Sequence, residues 1–515
     1  MIKNPVSLRL ILGDQLNIKH PWFDKIDHQV LFVLMEVKSE SEYVMHHIQK
    51  VVGIFDAMRN FSNKLTKLGH QVLYIKINDA ENKHDFIQNI LFIAKKWNIS
   101  EIHYQQPDEY RLDLILGELK NTIQIPVVVS DTHHFLTKRN ELKDFFHGKK
   151  RYTLEYFYRH LRKRHRILMS DDNHPLMDKW NFDQENRNKV PKNHNISTTS
   201  IQEKDVSLLV HEIKKSGIKT IGEIQVTKFS WTTTREDALD LLEEFIEKSL
   251  PLFGTLQDAM LKEHWYLYHS RLSFALNIKL ISPLEAIKRI ELAYHESPNK
   301  YAINQIEGFI RQILGWREYM RGIYWAEMPS FSKLNFFQHN QKLPHWFWNG
   351  KTKMNCLKHA IDQTLKNAYA HHIQRLMITG NFALLAGISP DDLDNWYLGV
   401  YIDAFEWVEI TNTRGMSQFA DGGIVGTKPY VSSGSYINKM SNYCESCFYK
   451  IKLKTEENAC PFNSLYWAFI DKNEEYFSKN PRSSMILNVW KKMSQVDKES
   501  ILYRSQQVLN QIEHL

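Results

Sequence analysis

What most constrains this 515-residue chain is that its hydrophobic period changes once along its length. Over the first 131 residues, short β-branched apolar runs alternate with longer amphipathic stretches, a pattern that predicts βαβ units and a parallel sheet. Strands are expected at Leu8–Leu12, Val30–Met35, Val72–Ile77, Glu101–Tyr104 and Val127–Ser130, and Glu42–Leu68 supplies a long crossover helix. From about residue 231 onward the spacing is helical almost throughout, which predicts an all-α half. Between the two lie basic runs and a polar stretch rich in Asn, Asp and Lys. The expected organisation is a Rossmann-like α/β parallel-sheet domain at 1–140, a linker with a basic helix at 141–230, and a large all-α domain at 231–515. The length agrees, because single cores rarely grow past about 250–300 residues.

An open α/β sheet binds ligands beyond the carboxyl ends of its strands. The turns Gly13-Asp14-Gln15 and Glu36-Val37-Lys38 are therefore candidate ligand positions. No GxGxxG is present, so the dinucleotide fingerprint is missing. A formal charge of +7 tilts the chain toward an anionic partner, and clustering says more than the total. The densest basic run is Arg159-His160-Leu161-Arg162-Lys163-Arg164-His165-Arg166, extended by Lys149 and Lys150. Such a run serves either as a phosphate-contacting surface or as a solvated helix face. Aromatic side chains reach 12% of the chain, with 13 Trp, and supply core packing, stacking platforms or redox-active rings. Arg9 interrupts the N-terminal apolar stretch, no small-x-small cleavage site follows, and no window of about 18 uncharged apolar residues occurs. A cytoplasmic protein with no membrane partner is expected, and a monomer.

In such a compartment cysteines serve more often as metal ligands or free thiols than as disulfides. Cys444-Glu-Ser-Cys447 is a CxxC, Cys460 follows with Pro461 after it, and Cys356 lies far upstream. Four thiolates form a complete tetrahedral set, and by softness they suit zinc and iron–sulfur clusters equally. Structural zinc sites usually combine two close pairs, whereas here one pair joins two single residues. On spacing alone a cluster, zinc and unligated thiols all stay open.

Four further blocks matter. His269-Ser270-Arg271-Leu272-Ser273-Phe274 precedes Leu280-Ile281-Ser282-Pro283; Gly308-Phe309-Ile310-Arg311-Gln312 runs on into Trp316-Arg317-Glu318-Tyr319; Ala370-His371-His372-Ile373-Gln374-Arg375 runs on to Gly380-Asn381; and Trp396-Tyr397 leads into Asp403-Ala404-Phe405-Glu406-Trp407-Val408-Glu409. Together these resemble the cryptochrome/photolyase family. With the four cysteines and the N-terminal Leu-Gly-Asp-Gln-Leu, they resemble one branch of it, the iron–sulfur bacterial cryptochromes and photolyases, over essentially the whole chain.

The resemblance implies FAD in the helical domain, a 4Fe-4S cluster on Cys356, Cys444, Cys447 and Cys460, and a 6,7-dimethyl-8-ribityllumazine antenna in the α/β domain. The substrate it implies is the pyrimidine–pyrimidone (6-4) photoproduct in UV-damaged DNA. Ser270, Leu272 and Ser273 match the family's serine-rich flavin-phosphate segment, where hydroxyls and helix-start N–H groups cradle a pyrophosphate, and Arg311, in the block similar to the family's LxWREFYR helix, is a further expected cofactor contact. Arg375, Asn381 and Asp403 would lie along the isoalloxazine, and Glu409 stands where the wider family commonly has Asn. A carboxyl there is suited to proton exchange if burial raises its pKa. His372 matches the acid that protonates the lesion, a task suited to imidazole near neutral pH, and Tyr430 a lesion-pocket tyrosine. Trp348, Trp396 and Tyr397 match an electron route. Asp14, Gln15 and Glu36 match antenna contacts, although strand-end caps share that composition. Lys149, Lys150, Arg159, Arg162, Lys163 and Arg164 are the expected phosphate contacts, and a divalent cation is a further expected cofactor. The rival readings are a light-signalling cryptochrome without repair and a zinc-containing DNA-binding protein.

Overall fold

A computed structural model describes residues 4–196, 202–480 and 484–515. Five parallel strands, β1 (Ser7–Leu10), β2 (Val30–Met35), β3 (Gln71–Ile75), β4 (Glu101–Gln105) and β5 (Val127–Ser130), are ordered β3-β2-β1-β4-β5. Each expected strand is present. The period of two explains why β2 is wholly apolar: Leu31, Val33 and Met35 face the helix Phe86–Trp97, while Phe32 and Leu34 face the opposite layer.

That opposite layer is α1 (Ile48–Lys67), which begins later than the sequence suggests. His47 supplies the reason. Its side chain accepts the Gln49 N–H and caps the helix, while Lys38–Ser41 forms a separate turn. The buried face of α1 belongs to one apolar core continuous with the helical half. Close packing there has a polar counterpart. Lys50 on α1 donates to the carbonyls of Leu398 and Ala404 at 2.7 and 2.6 Å.

The basic run forms α2 (Leu154–His165), ended by Arg166 in the left-handed conformation. Beyond it the described chain is helical, as expected, and no described helix is long and apolar enough to cross a membrane. Lys279 joins the halves. Fully buried, its ammonium lies 2.6 Å from Asp108 and 3.2 Å from Asp14, both on loops of the sheet domain. A buried charge is tolerated only with such partners.

Candidate functional site

A cavity of about 660 Å³ opens in the helical half, within the range of small-molecule sites. Three helices that build it each contain a π-helical turn, at Arg311–Arg317, Arg375–Gly380 and Thr411–Ser417. Each of these turns contributes to the cavity wall. A π-turn widens the helix by one residue, turning side chains that a regular helix would stack along its axis, and such bulges gather at functional sites.

Most expected flavin and lesion residues meet on this wall: Ser270, Ser273, Arg311, His372, Arg375, Asp403, Glu409, Tyr397 and Tyr430. Asp403 is held from two sides, by Arg375 at 2.9 Å and by the Ser273 hydroxyl at 2.6 Å. Arg375 is itself fixed by the Ala370 carbonyl and lies over the Tyr401 ring at 3.8 Å. The Arg375–Asp403 pair thus braces the wall as well as lining it. Anionic character is invited nearby: Arg317 Nε and Nη1 and Arg311 Nε have no hydrogen-bond partner. Arg311 and Arg317 both line the cavity, each with a carboxylate beside it, Glu307 at 3.4 Å and Glu318 at 3.8 Å, and guanidinium groups so placed suit a phosphate-bearing ligand.

Glu409 is buried, and its Oε1 has no hydrogen-bond partner. Burial pushes its pKa well above the usual carboxylate range, with repulsion from Asp394 adding to it. The shift favours the protonated carboxyl, a form able to give a proton. His372 sits oppositely. Its side chain is accessible within the cavity although protein surrounds it. Desolvation lowers its pKa to about 4, with Arg375 and Arg187 pressing the same way. Because both causes agree, the imidazole is neutral at neutral pH in the absence of an anionic partner.

Leu272 and Asn381 do not reach the cavity. Leu272 is a core residue whose N–H is capped by Ser270 Oγ. Asn381 ties down Ser432, donating to its carbonyl at 2.9 Å and accepting its N–H at 3.1 Å. From the surface inward, Trp348 is 38% exposed, while Trp396 is fully buried and donates to the Phe347 carbonyl. The Trp396 ring lies 5.4 Å from that of Tyr397, whose hydroxyl donates to the Arg375 carbonyl at 2.7 Å. Sequence reasoning missed Arg187, Asp258, Tyr436 and Lys439 at this cavity. Arg187 and Asp258 come from separate loops, and Tyr436 and Lys439 from one short helix, Gly434–Met440, with no motif shared among the four.

A second, small cavity is lined by all four cysteines together with Tyr443. Burial raises Cys356 well above the usual thiol range, and Cys444 and Cys460 to about 11 and about 12. Among the described residues no three His, Cys, Asp or Glu side chains close on a single metal position. The four thiols instead surround one small, largely apolar cavity.

A third cavity, of about 80 Å³, lies at the carboxyl ends of β1 and β2, where Asp14 meets Glu40, Tyr43, Lys50 and Glu109. Burial raises Asp14 to about 6 and lowers Lys50 to about 8. Two expected antenna residues lie elsewhere. Glu36 is wholly buried and bound by Arg59 at 2.7 Å, the Tyr74 hydroxyl and the Ile77 N–H. Gln15 points its amide to the Leu12 N–H and the Gln105 carbonyl. Both are structural caps of the strand ends.

The basic run also divides. Lys149, Lys150 and Lys163 are exposed, Arg159 pairs with Glu155, and Arg164 pairs with Glu141 and the Leu136 carbonyl. Arg162 is a correction. It is 1% exposed and donates to the carbonyls of Ile167, Leu168 and Trp180. It lies on the inward stripe of α2 with Tyr158 and Leu161, so helical spacing carried the signal. Arg162→Ala is expected to destabilise the fold by about 2–4 kcal/mol, since three buried carbonyls lose their donor. Lys163→Ala should leave stability unchanged. Denaturant unfolding of the two variants checks both.

The description Deoxyribodipyrimidine photo-lyase-related protein belongs to a family whose model matches residues 9–231. The (6-4) photolyase of Agrobacterium fabrum is 43% identical over 496 residues, covering 95% of this chain and 96% of that protein. Among solved structures, a bacterial class III photolyase from Agrobacterium tumefaciens superposes with a TM-score of 0.57 at 15% identity, over 99% of both chains. A cryptochrome from Synechocystis does so at 0.54 and 11%, covering 98% of this chain and 99% of that one. The two superpositions establish the shared fold.

Proposed function

Since the chain belongs to the cryptochrome/photolyase family, we propose that it is a DNA photolyase that reverses pyrimidine–pyrimidone (6-4) photoproducts in light. The observation that carries the reading is the single cavity wall on which His372, Arg375, Asp403, Glu409 and Tyr430 converge. The chemistry supplied by FAD, when bound, is electron donation from its reduced, light-excited form. Every other part of the task falls to the chain. Arg375 and Asp403 orient the ligand, with Ser270, Ser273 and Arg311 serving its phosphates. Glu409, whose protonated form burial favours, stands at the cavity wall as a proton reservoir. His372 passes a proton to the damaged base, and Tyr430 bounds the lesion pocket.

Photolyases extrude their target from the duplex, which requires phosphate anchoring around the cavity mouth. Arg187 and Lys439 line the cavity, Lys149, Lys150 and Lys163 offer exposed charge farther along the surface, and Arg159, half-buried and paired with Glu155, lies among them. Such contacts do not read sequence, so specificity rests on lesion shape in the cavity. Damaged DNA is therefore the partner, and the chain acts as a monomer.

The four thiols suit a 4Fe-4S cluster. The Asp14 cavity suits a hydroxylated antenna such as a ribityllumazine in its polar lining. At about 80 Å³ it is smaller than typical small-molecule pockets, so Glu40, Tyr43 or Lys50 must rotate to admit one.

A (6-4) oligonucleotide incubated with the purified protein tests the function. Restoration in light and none in darkness is expected. Flavin photoreduction without restoration would identify a signalling cryptochrome instead. Trp348→Phe is expected to slow photoreduction of oxidised flavin severalfold. Restoration by chemically pre-reduced protein should stay unchanged, because that route is needed only to recharge the flavin. Paired bleaching and repair assays check the split.

A further inference from the structure

One line of buried contacts runs from the thiol cavity to His372. Tyr443, fully buried, adjoins Cys444 in sequence and lines the thiol cavity. Its ring lies flat against His359, centroids 5.6 Å apart, and its carbonyl accepts from Asn355 at 3.1 Å. Its hydroxyl accepts from Gln374 Nε2 at 3.0 Å. Gln374 is also buried, and its amide is fully committed. Nε2 donates a second time to Gln363 Oε1, and Oε1 accepts from Gln363 Nε2, both at 2.9 Å. Oε1 accepts in addition the backbone N–H of His371 at 3.1 Å. With two donors and two acceptors filled, only one orientation satisfies the amide. Turned over, it would set N–H against N–H at His371.

The bond to His371 fixes the start of the helical turn His372–Gln374, whose first residue is His372. On its other side the His371 ring lies on His269, centroids 4.5 Å apart and planes 13° from parallel. His269, with Nε2 carrying the proton, donates to the Gln257 carbonyl at 3.1 Å, and it lines the same cavity as His372.

We propose that Tyr443 and Gln374 are positioning residues that set His372 for proton transfer, making the thiol cavity and that histidine one mechanical unit. This rests on the role of His372 given above. A donor displaced by about 1 Å loses on the order of 100-fold in rate, so a relaxed strut costs repair without costing binding.

Tyr443→Phe keeps the ring and its stacking on His359 and removes only the hydroxyl; Gln374→Ala removes the amide. Both are expected to retain iron and flavin, to bind lesion duplex in the dark with unchanged affinity, and to repair about tenfold fewer lesions per absorbed photon. The double variant should be no worse than Gln374→Ala alone, because the two residues act in series. Gln374→Glu accepts from both the Tyr443 hydroxyl and the His371 N–H but sets a carboxylate oxygen against Gln363 Oε1, so it should recover repair only in part. Its carboxylate should also move the alkaline limit of the pH profile upward by favouring imidazolium. Wild-type repair in Tyr443→Phe and Gln374→Ala, or additive losses in the double variant, would overturn the strut. So would loss of iron or flavin from Tyr443→Phe, which would mark the tyrosine as scaffold alone. Full repair in His372→Ala would overturn the histidine's role itself, and that result separates the two failures.

Discussion

Replacing His372 with alanine is expected to lower light-dependent restoration of a (6-4) oligonucleotide by about 10²–10⁴-fold, the contribution typical of a positioned acid. Bound flavin should be unaffected. The ligand-orienting pair Arg375–Asp403 is anchored by Ser273 and Ala370, and neither bond depends on the imidazole. The same variant tests an electrostatic point. With its pKa lowered to about 4 by desolvation and by Arg375 and Arg187, the histidine is uncharged in the free protein at neutral pH. Lesion DNA brings phosphates that offset the two guanidinium charges, and an opposite charge raises an imidazole pKa. Substrate arrival therefore recruits the proton, and restoration should decline as pH rises through the raised value. Unchanged repair in His372→Ala would remove the assignment.

Cys356→Ala is expected to yield protein without iron and with most of its flavin lost. Cys356 stands on the helix Asn355–Asn367, Cys460 at the start of Pro461–Lys472, and Cys444 and Cys447 on the intervening loop. The chain between Cys356 and Cys444 contains His372, Trp396, Asp403, Glu409 and Tyr430. Since burial raises the thiols, the proposed cluster would have to displace their protons, and its binding free energy would become folding free energy. Removing one ligand should loosen both cavities at once. The thermal midpoint should fall by several degrees, on a scale of about 2–4 °C per kcal/mol. Iron assay, flavin absorbance and thermal unfolding check the three parts; soluble, flavin-replete Cys356→Ala would contradict them.

The parallel sheet was legible because short apolar runs such as Val30–Met35 and Val127–Ser130 alternate with longer amphipathic stretches. The cavity wall was legible through sequence blocks, residue by residue, at His372, Arg375, Asp403 and Glu409. Two kinds of feature were not. A π-helical turn has no period of its own in a sequence of helix formers, so the bulges at Arg311–Arg317, Arg375–Gly380 and Thr411–Ser417 stayed invisible. Buried polar residues were also misassigned. Glu36 and Arg162 have the chemistry of ligand contacts, and only tertiary partners, Arg59 for one and three carbonyls for the other, commit them to the scaffold.

Lys279 belongs to the helical half, while both carboxylates that neutralise it belong to the sheet domain. The same contact plane buries the apolar face of α1 against the helical half, and a helical half cut from it would present that apolar surface to water. A fragment starting at residue 231 should therefore be recovered in inclusion bodies rather than as soluble protein, which fractionation of expressing cells would reveal. The sheet domain is accordingly part of the wall that keeps water out of the helical half.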